Sequence, residues 1–136
     1  MAHEARRWLE YAENDLAVAK HLMATFYPKP LEIVCYYCQQ AAEKAVKAVY
    51  VALDIPGGVP KKHDLSFLLA QMRRCVPVAE DMLDHADELN AFGVLVRYPN
   101  EIRIDEAATA ASIRYADEIL AWAETQMKRL ADSNRV

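Results

Sequence analysis

Leu31–Leu53 reads LEIVCYYCQQAAEKAVKAVYVAL, and the spacing of its apolar residues decides the fold. At about 100° per residue, Val34, Tyr37, Cys38, Ala41, Ala45, Ala48, Val49 and Ala52 share one half of a helix. Gln39, Gln40, Glu43, Lys44 and Lys47 fall on the other half, with Tyr36 and Tyr50 among them. An apolar arc covering roughly half the circumference is wider than a surface helix carries. The stretch therefore predicts a central helix gripped by two or three neighbours. Its alanines let those neighbours approach toward the short end of the roughly 8–10 Å interaxial range.

Working outward, Glu4–Phe26 carries Trp8, Ala12, Leu16, Ala19, Leu22, Met23 and Phe26 as one stripe at i, i+3 and i+4 spacing, and predicts the first helix. Asp15 lies within that stripe. Either the stripe is wet there or Asp15 pairs with a base on the next helix; a sharper reading makes it an acid that orients a functional Lys, Arg or His. Tyr27-Pro28-Lys29-Pro30 interrupts the pattern, and so short a connection predicts antiparallel neighbours.

Beyond the central helix, Asp54–Lys62 is a loop containing Pro56, Gly57, Gly58 and Pro60 and ending in Lys61-Lys62. Such a loop beside a helix N-terminus could hold an anion, although flexibility accounts for its residues more simply. Asp64 is suited to cap a short helix from Leu65 to about Cys75. Pro77 is suited to the first turn of a fourth, acidic helix running to about Phe92 at the bundle periphery, and Gly93 to a left-handed stop. The stretch to Ile104, GVLVRYPNEIRI, has no helical period and is long for an irregular connection. Asp105 can cap the last helix, Glu106 to about Leu130, and the tail from Ala131 to Val136 is expected to fray.

The 136 residues suit one domain over 1–136, all-α, with no internal repeat. Sixteen basic and twenty acidic residues give a net charge of −4, which argues against a broad nucleic-acid-coating surface. No apolar run approaches the roughly 18–20 residues of a membrane span. The opening MAHEARRWLE lacks a signal-peptide core, and three cysteines are an odd count that fits a reducing cytoplasm. Cys35 and Cys38 form a CxxC on the apolar side of the central helix, where packing explains them better than zinc or redox chemistry. The four histidines are scattered and glycine-rich phosphate loops are absent, so neither metal nor cofactor is expected.

Gln40, Lys44 and Lys47 share an arc of about 60° on the polar side of the central helix. Glu43 stands at its edge, one i, i+4 step before Lys47. The simple expectation is a solvated charged face. Tyr36 and Tyr50 on that side, with Glu43 between them, point instead to a partner or homodimer surface.

Trp8, Ala12 and Asp15-Leu16, then QAAEKAVKA at 40–48, His63-Asp64-Leu65 and Arg97-Tyr98-Pro99 together resemble the HEPN domain (higher eukaryotes and prokaryotes nucleotide-binding) over nearly the whole chain. The resemblance implies an antiparallel up-and-down four-helix bundle with one additional short helix, often dimeric. It also implies a minimal nucleotidyltransferase encoded nearby, as a two-component enzyme or toxin–antitoxin pair. Many members are metal-independent ribonucleases using an Arg-x4–6-His motif, but Arg97 is followed by YPNEIRI with no histidine. No catalytic residue is therefore assigned, since that chemistry needs an imidazole near neutral pH.

The resulting expectation is a non-catalytic HEPN partner that binds a nucleotide or phosphate weakly through Lys44, Lys47, His63 and Arg97. Asp15 and Gln40 would support them, and the convergence of the four is inferred from the family's bundle. The alternatives are a ribonuclease toxin with an atypical site, or a ligand-free helical interaction module.

Overall fold

The computed structural model describes residues 2–61, 64–93 and 104–133. Among them are five helices and no strand: α1 (Ala2–Thr25), α2 (Leu31–Leu53), α3 (Leu65–Met72), α4 (Glu80–Asn90) and α5 (Glu106–Ser133). The fold is an all-α bundle, and α2 touches each of the other four helices. Trp8 lies by Lys47 and Asp15 by Lys44, so α1 and α2 run antiparallel. The Lys20–Asp117 and Lys29–Glu106 pairs set α5 antiparallel to α1. His85 beside Glu118 and Trp122 beside Pro77 do the same for α4 and α5. The short α3 pairs with α4 to fill the bundle's remaining corner.

The helices approach closely because small residues line their contacts. Ala12 and Ala19 of α1, Ala41, Ala45 and Ala48 of α2, and Ala116 and Ala123 of α5 have no exposed surface. Bulk comes from Leu65, Leu68, Leu69 and Met72 of α3, from Leu89 of α4, and from Ile119 of α5, all fully buried. Each such side chain stabilises the fold by about 1.5–3 kcal/mol. Cys35 and Cys38 are fully buried on α2, and the Cys35 thiol donates to Thr109 Oγ1 at 3.5 Å. Burial, reinforced by the neighbouring Cys35, pushes the Cys38 thiol up to about 12, so it stays protonated near neutral pH. No helix among the described residues is long and apolar enough to cross a membrane.

The helix ends follow local chemistry where a side chain can cap. Asp64 accepts from Phe67 N–H at 3.1 Å, and Asp105 from Ala108 N–H at 2.7 Å. Asp54 ends α2 in the left-handed region (φ 52°), with its N–H bonded to Val51 O.

The middle of the chain differs from the sequence expectation. Helix α3 stops at Met72, and Cys75 and Val76 both donate back to Met72 O at 2.9 Å. Helix α4 begins only at Glu80, three residues after Pro77. Trp122 Nε1 donates to Pro77 O at 2.8 Å and Arg73 Nε to Val78 O at 3.2 Å. These tertiary bonds use carbonyls that a helix begun at Pro77 would commit to its own ladder. Helix α4 is also no mere periphery, because Met82, Ala86 and Leu89 join the core. Gly93 does not adopt a left-handed conformation; Gly57 and Gly58, at φ 90° and 72°, are the glycines that do.

Candidate functional site

One side of α2 carries a set of polar groups, two of which, Lys44 and Lys47, meet residues of α1. Lys44 Nζ bonds Asp15 Oδ2 across the helix pair at 2.6 Å, with side chains 28% and 16% exposed. Asp15 is thus the partner of a base on the next helix. One turn on, Lys47 Nζ bonds Glu43 Oε2 at 3.2 Å, and these side chains are only 14% and 6% exposed. Glu43 also accepts from Gln39 Nε2 at 3.4 Å, and Gln39 Oε1 accepts from Gln40 Nε2 at 2.8 Å. The Lys47 ammonium stands 5.6 Å from the Trp8 ring centroid, close enough for a cation–π attraction.

The strip therefore holds two hydrogen-bonded groups, Lys44 with Asp15 and Lys47 with Glu43, Gln39 and Gln40, and the solvated charged face expected from the sequence is corrected. Burying Glu43 and Gln39 is tolerable because each is hydrogen-bonded, as buried polar groups must be. Lys44 and Lys47 each have three N–H donors, and each retains an exposed part beside its carboxylate. Two ammonium groups one turn apart, held in place by carboxylates, can accept a further anionic group at their open side.

Two members of the partner surface are corrected as well. Tyr50 is 4% exposed, and its hydroxyl donates to Leu68 O at 2.9 Å beneath α3. Burial holds that phenol above its ordinary range. Glu43 is likewise buried within the chain. Tyr36 stays half-buried, edge-on to Tyr37 with ring centroids 5.7 Å apart. The large apolar side chains that are exposed include Phe26 and Tyr27 at the end of α1 and Ile33 at the start of α2.

His63 and Arg97 lie outside the described residues. Lys44, Lys47, Asp15 and Gln40 gather on one side of α2, whereas Tyr36 and Tyr50 do not make one surface. Gln39 and Trp8 were missed as partners of Glu43 and Lys47. The signal for Gln39 was its position one turn before Glu43 on a helix apolar around most of its circumference, a helix too enclosed to leave its polar strip in water.

The residues after His63 have a structural task. Asp64 Oδ1 accepts from Phe67 N–H, from the Ser66 hydroxyl at 2.9 Å and from Asn90 Nδ2 at 2.9 Å, while Asn90 Oδ1 accepts Leu65 N–H at 2.7 Å. These donors, led by the Phe67 N–H, hold the Asp64 carboxyl below its ordinary range. Asp64 and Asn90 thereby tie the start of α3 to the end of α4.

The model of the HEPN domain matches residues 5–126. The chain belongs to the HEPN domain family. Among solved structures it is similar to an archaeal HEPN homologue, ST0689, with 27% identity, a TM-score of 0.70, and coverage of 90% of this chain and 97% of that one. It is also similar to TT1696 from Thermus thermophilus, at 31% identity and a TM-score of 0.60, covering 94% and 96% of the two chains. An HEPN domain protein from Thermotoga maritima shares 25% identity at a TM-score of 0.54, with 95% and 98% covered. No curated protein sequence matches. Among the described residues no group of three or more His, Cys, Asp or Glu side chains gathers as a metal site would require.

Proposed function

We propose that this HEPN chain is a non-catalytic, nucleotide-binding partner of a separate minimal nucleotidyltransferase. A phosphate would be received by Lys44 and Lys47, with His63 and Arg97 as further contacts and Asp15 orienting Lys44. The observation that carries this reading is two recessed ammonium groups, Lys44 on Asp15 and Lys47 on Glu43, with Gln39 and Gln40 bonded behind Glu43, on a helix otherwise committed to the core. Packing gives no reason for such pairs, because apolar residues of similar volume in place of a buried ion pair are often as stable or more so. An anion site gives one: the carboxylates hold two ammonium groups in register before the ligand arrives, so less side-chain ordering opposes binding.

The proposed assembly is a homodimer associated with the nucleotidyltransferase. Its partner surface is the remaining Tyr36 side together with the exposed Phe26, Tyr27 and Ile33, since apolar groups exposed near one another mark interaction sites.

Isothermal titration with ATP, on the wild type and on Lys44→Ala, tests the ligand. Saturable heat in the wild type, weakened in the variant, is expected; absence of heat at millimolar ATP removes the nucleotide. Co-purification with a co-expressed minimal nucleotidyltransferase tests the partner separately. Failure of the two proteins to associate at micromolar concentration removes that half.

A further inference from the structure

The loop after α2 and the outer side of α3 enclose a second concavity, apart from the Lys44–Lys47 strip. Its volume is about 680 Å³, within the roughly 300–1,000 Å³ of small-molecule sites. Ile55 and Pro56 of the loop, Phe67 of α3 and Tyr50 of α2 supply apolar wall. The Tyr50 hydroxyl is already donated to Leu68 O, which leaves its ring as the part that can meet a ligand. Gly57 and Gly58 have nothing within 4 Å of where a Cβ would stand, so the loop leaves this side open.

Among the described residues, the charges around the cavity have one sign. Lys61 and Arg74 line it, and no Asp or Glu does among the described residues. Neither cation forms an ion pair with a described residue. Lys20, Lys29, Lys44, Lys47 and Arg73 each have a carboxylate within 4 Å. Two cations with no acid beside them among the described residues, against a low-dielectric wall, focus a positive potential into the opening. The guanidinium presents a planar fork that fits a carboxylate with two parallel hydrogen bonds. The walls in turn favour hydrocarbon, at about 25 cal/mol for each Å² removed from water.

We propose that this cavity binds a small amphipathic carboxylate, its hydrocarbon body against Tyr50 and Phe67 and its carboxylate on Arg74 and Lys61. The site is independent of the nucleotide reading, because it shares no residue with the α2 strip.

Cys75 gives a local readout. It lines the same cavity and is exposed, whereas Cys35 and Cys38 are fully buried. A thiol-reactive disulfide such as Ellman's reagent should label Cys75 quickly on the folded chain, and decanoate below its micelle-forming concentration should slow that labelling saturably. Decanol, with the hydrocarbon and no charge, and acetate, with the charge and no hydrocarbon, should not protect at the same concentrations; nor should ATP. Arg74→Gln should raise the decanoate concentration needed for half-protection roughly tenfold, on the scale of a lost hydrogen bond between charged groups. The control Arg114→Gln, on α5, should leave it unchanged, and both variants should keep the wild-type helical circular dichroism.

Equal protection by decanol would reduce the cavity to an apolar groove and overturn the proposal. Protection by ATP in place of decanoate would make it a phosphate site and overturn it too. Unaltered labelling at saturating decanoate, or unaltered half-protection in Arg74→Gln, would leave no carboxylate site.

Discussion

Replacing Glu43 by alanine removes the carboxylate at the centre of the α2 network. The side chain is 6% exposed, accepts from Lys47 at 3.2 Å and from Gln39 at 3.4 Å, and leaves both donors without it when truncated. Lys47, itself 14% exposed, would keep a positive charge that water reaches only partly. Removing one partner of a recessed ion pair costs about 3–5 kcal/mol, a large share of a domain's total of about 5–15 kcal/mol. For a chain of this size that lowers the melting temperature by roughly 9–15 °C. Urea unfolding followed by circular dichroism at 222 nm measures the free energy directly, with an unchanged m-value showing that the two-state comparison holds.

The companion is Glu43→Met with Lys47→Met, which removes both charges and keeps the volume. Its cost should be at least about 2 kcal/mol smaller than that of Glu43→Ala, because the Lys47 charge is no longer left without its carboxylate and Gln39 loses a bond worth about 1 kcal/mol. A single substitution costing less than about 1 kcal/mol, as exposed ion pairs do, would mean the strip is solvated and would refute the reasoning.

Asp64→Ala should destabilise by about 1 kcal/mol at neutral pH through loss of the cap. The folded carboxyl titrates below its unfolded range of about 3.9. Its ionic contribution is therefore present above that unfolded value and lost as pH falls through the lower folded one. Urea titrations at pH 7 and about pH 2.5 should accordingly show the penalty shrinking in acid; a pH-independent penalty would contradict the carboxylate's role. Tyr50→Phe should cost about 0.5–1.5 kcal/mol in the same assay without altering oligomeric state, since its hydroxyl is spent on Leu68 O. Tyr36→Lys together with Tyr27→Lys should shift sedimentation equilibrium toward monomer, and an unaltered distribution would exclude that side as the subunit contact. Incubated with total RNA in the absence of metal, the chain should leave the RNA intact. Cleavage abolished by Arg97→Ala would reverse the assignment in favour of a ribonuclease.

The bounds of α2 were legible because Pro30 stands immediately before it and no proline or glycine interrupts it. The caps at Asp64 and Asp105 were legible for a related reason: a side chain three residues from the amide it accepts is a local event. The start of α4 was not, because Pro77–Ala79 are held off the helix by Trp122 and Arg73, residues that local propensity cannot consult. Lys44, Lys47, Asp15 and Gln40 were legible as neighbours, since helical spacing alone puts three of them on one side. The burial of Glu43, Gln39 and Tyr50 was hidden. A polar face on an amphipathic period reads as a wet face until the number of helices around it is known. With α1, α3, α4 and α5 all against α2, little of its circumference remains for water.

The most direct test of the proposed nucleotide site compares ATP with adenosine on the folded wild type and on the double variant Lys44→Ala, Lys47→Ala. Calorimetric titration should show saturable binding of ATP, none of adenosine at the same concentrations, and loss of the ATP signal in the variant while its far-ultraviolet spectrum stays helical. Equal ATP binding by the wild type and the double variant, or no saturable ATP binding by either, would contradict an anion site on the α2 strip.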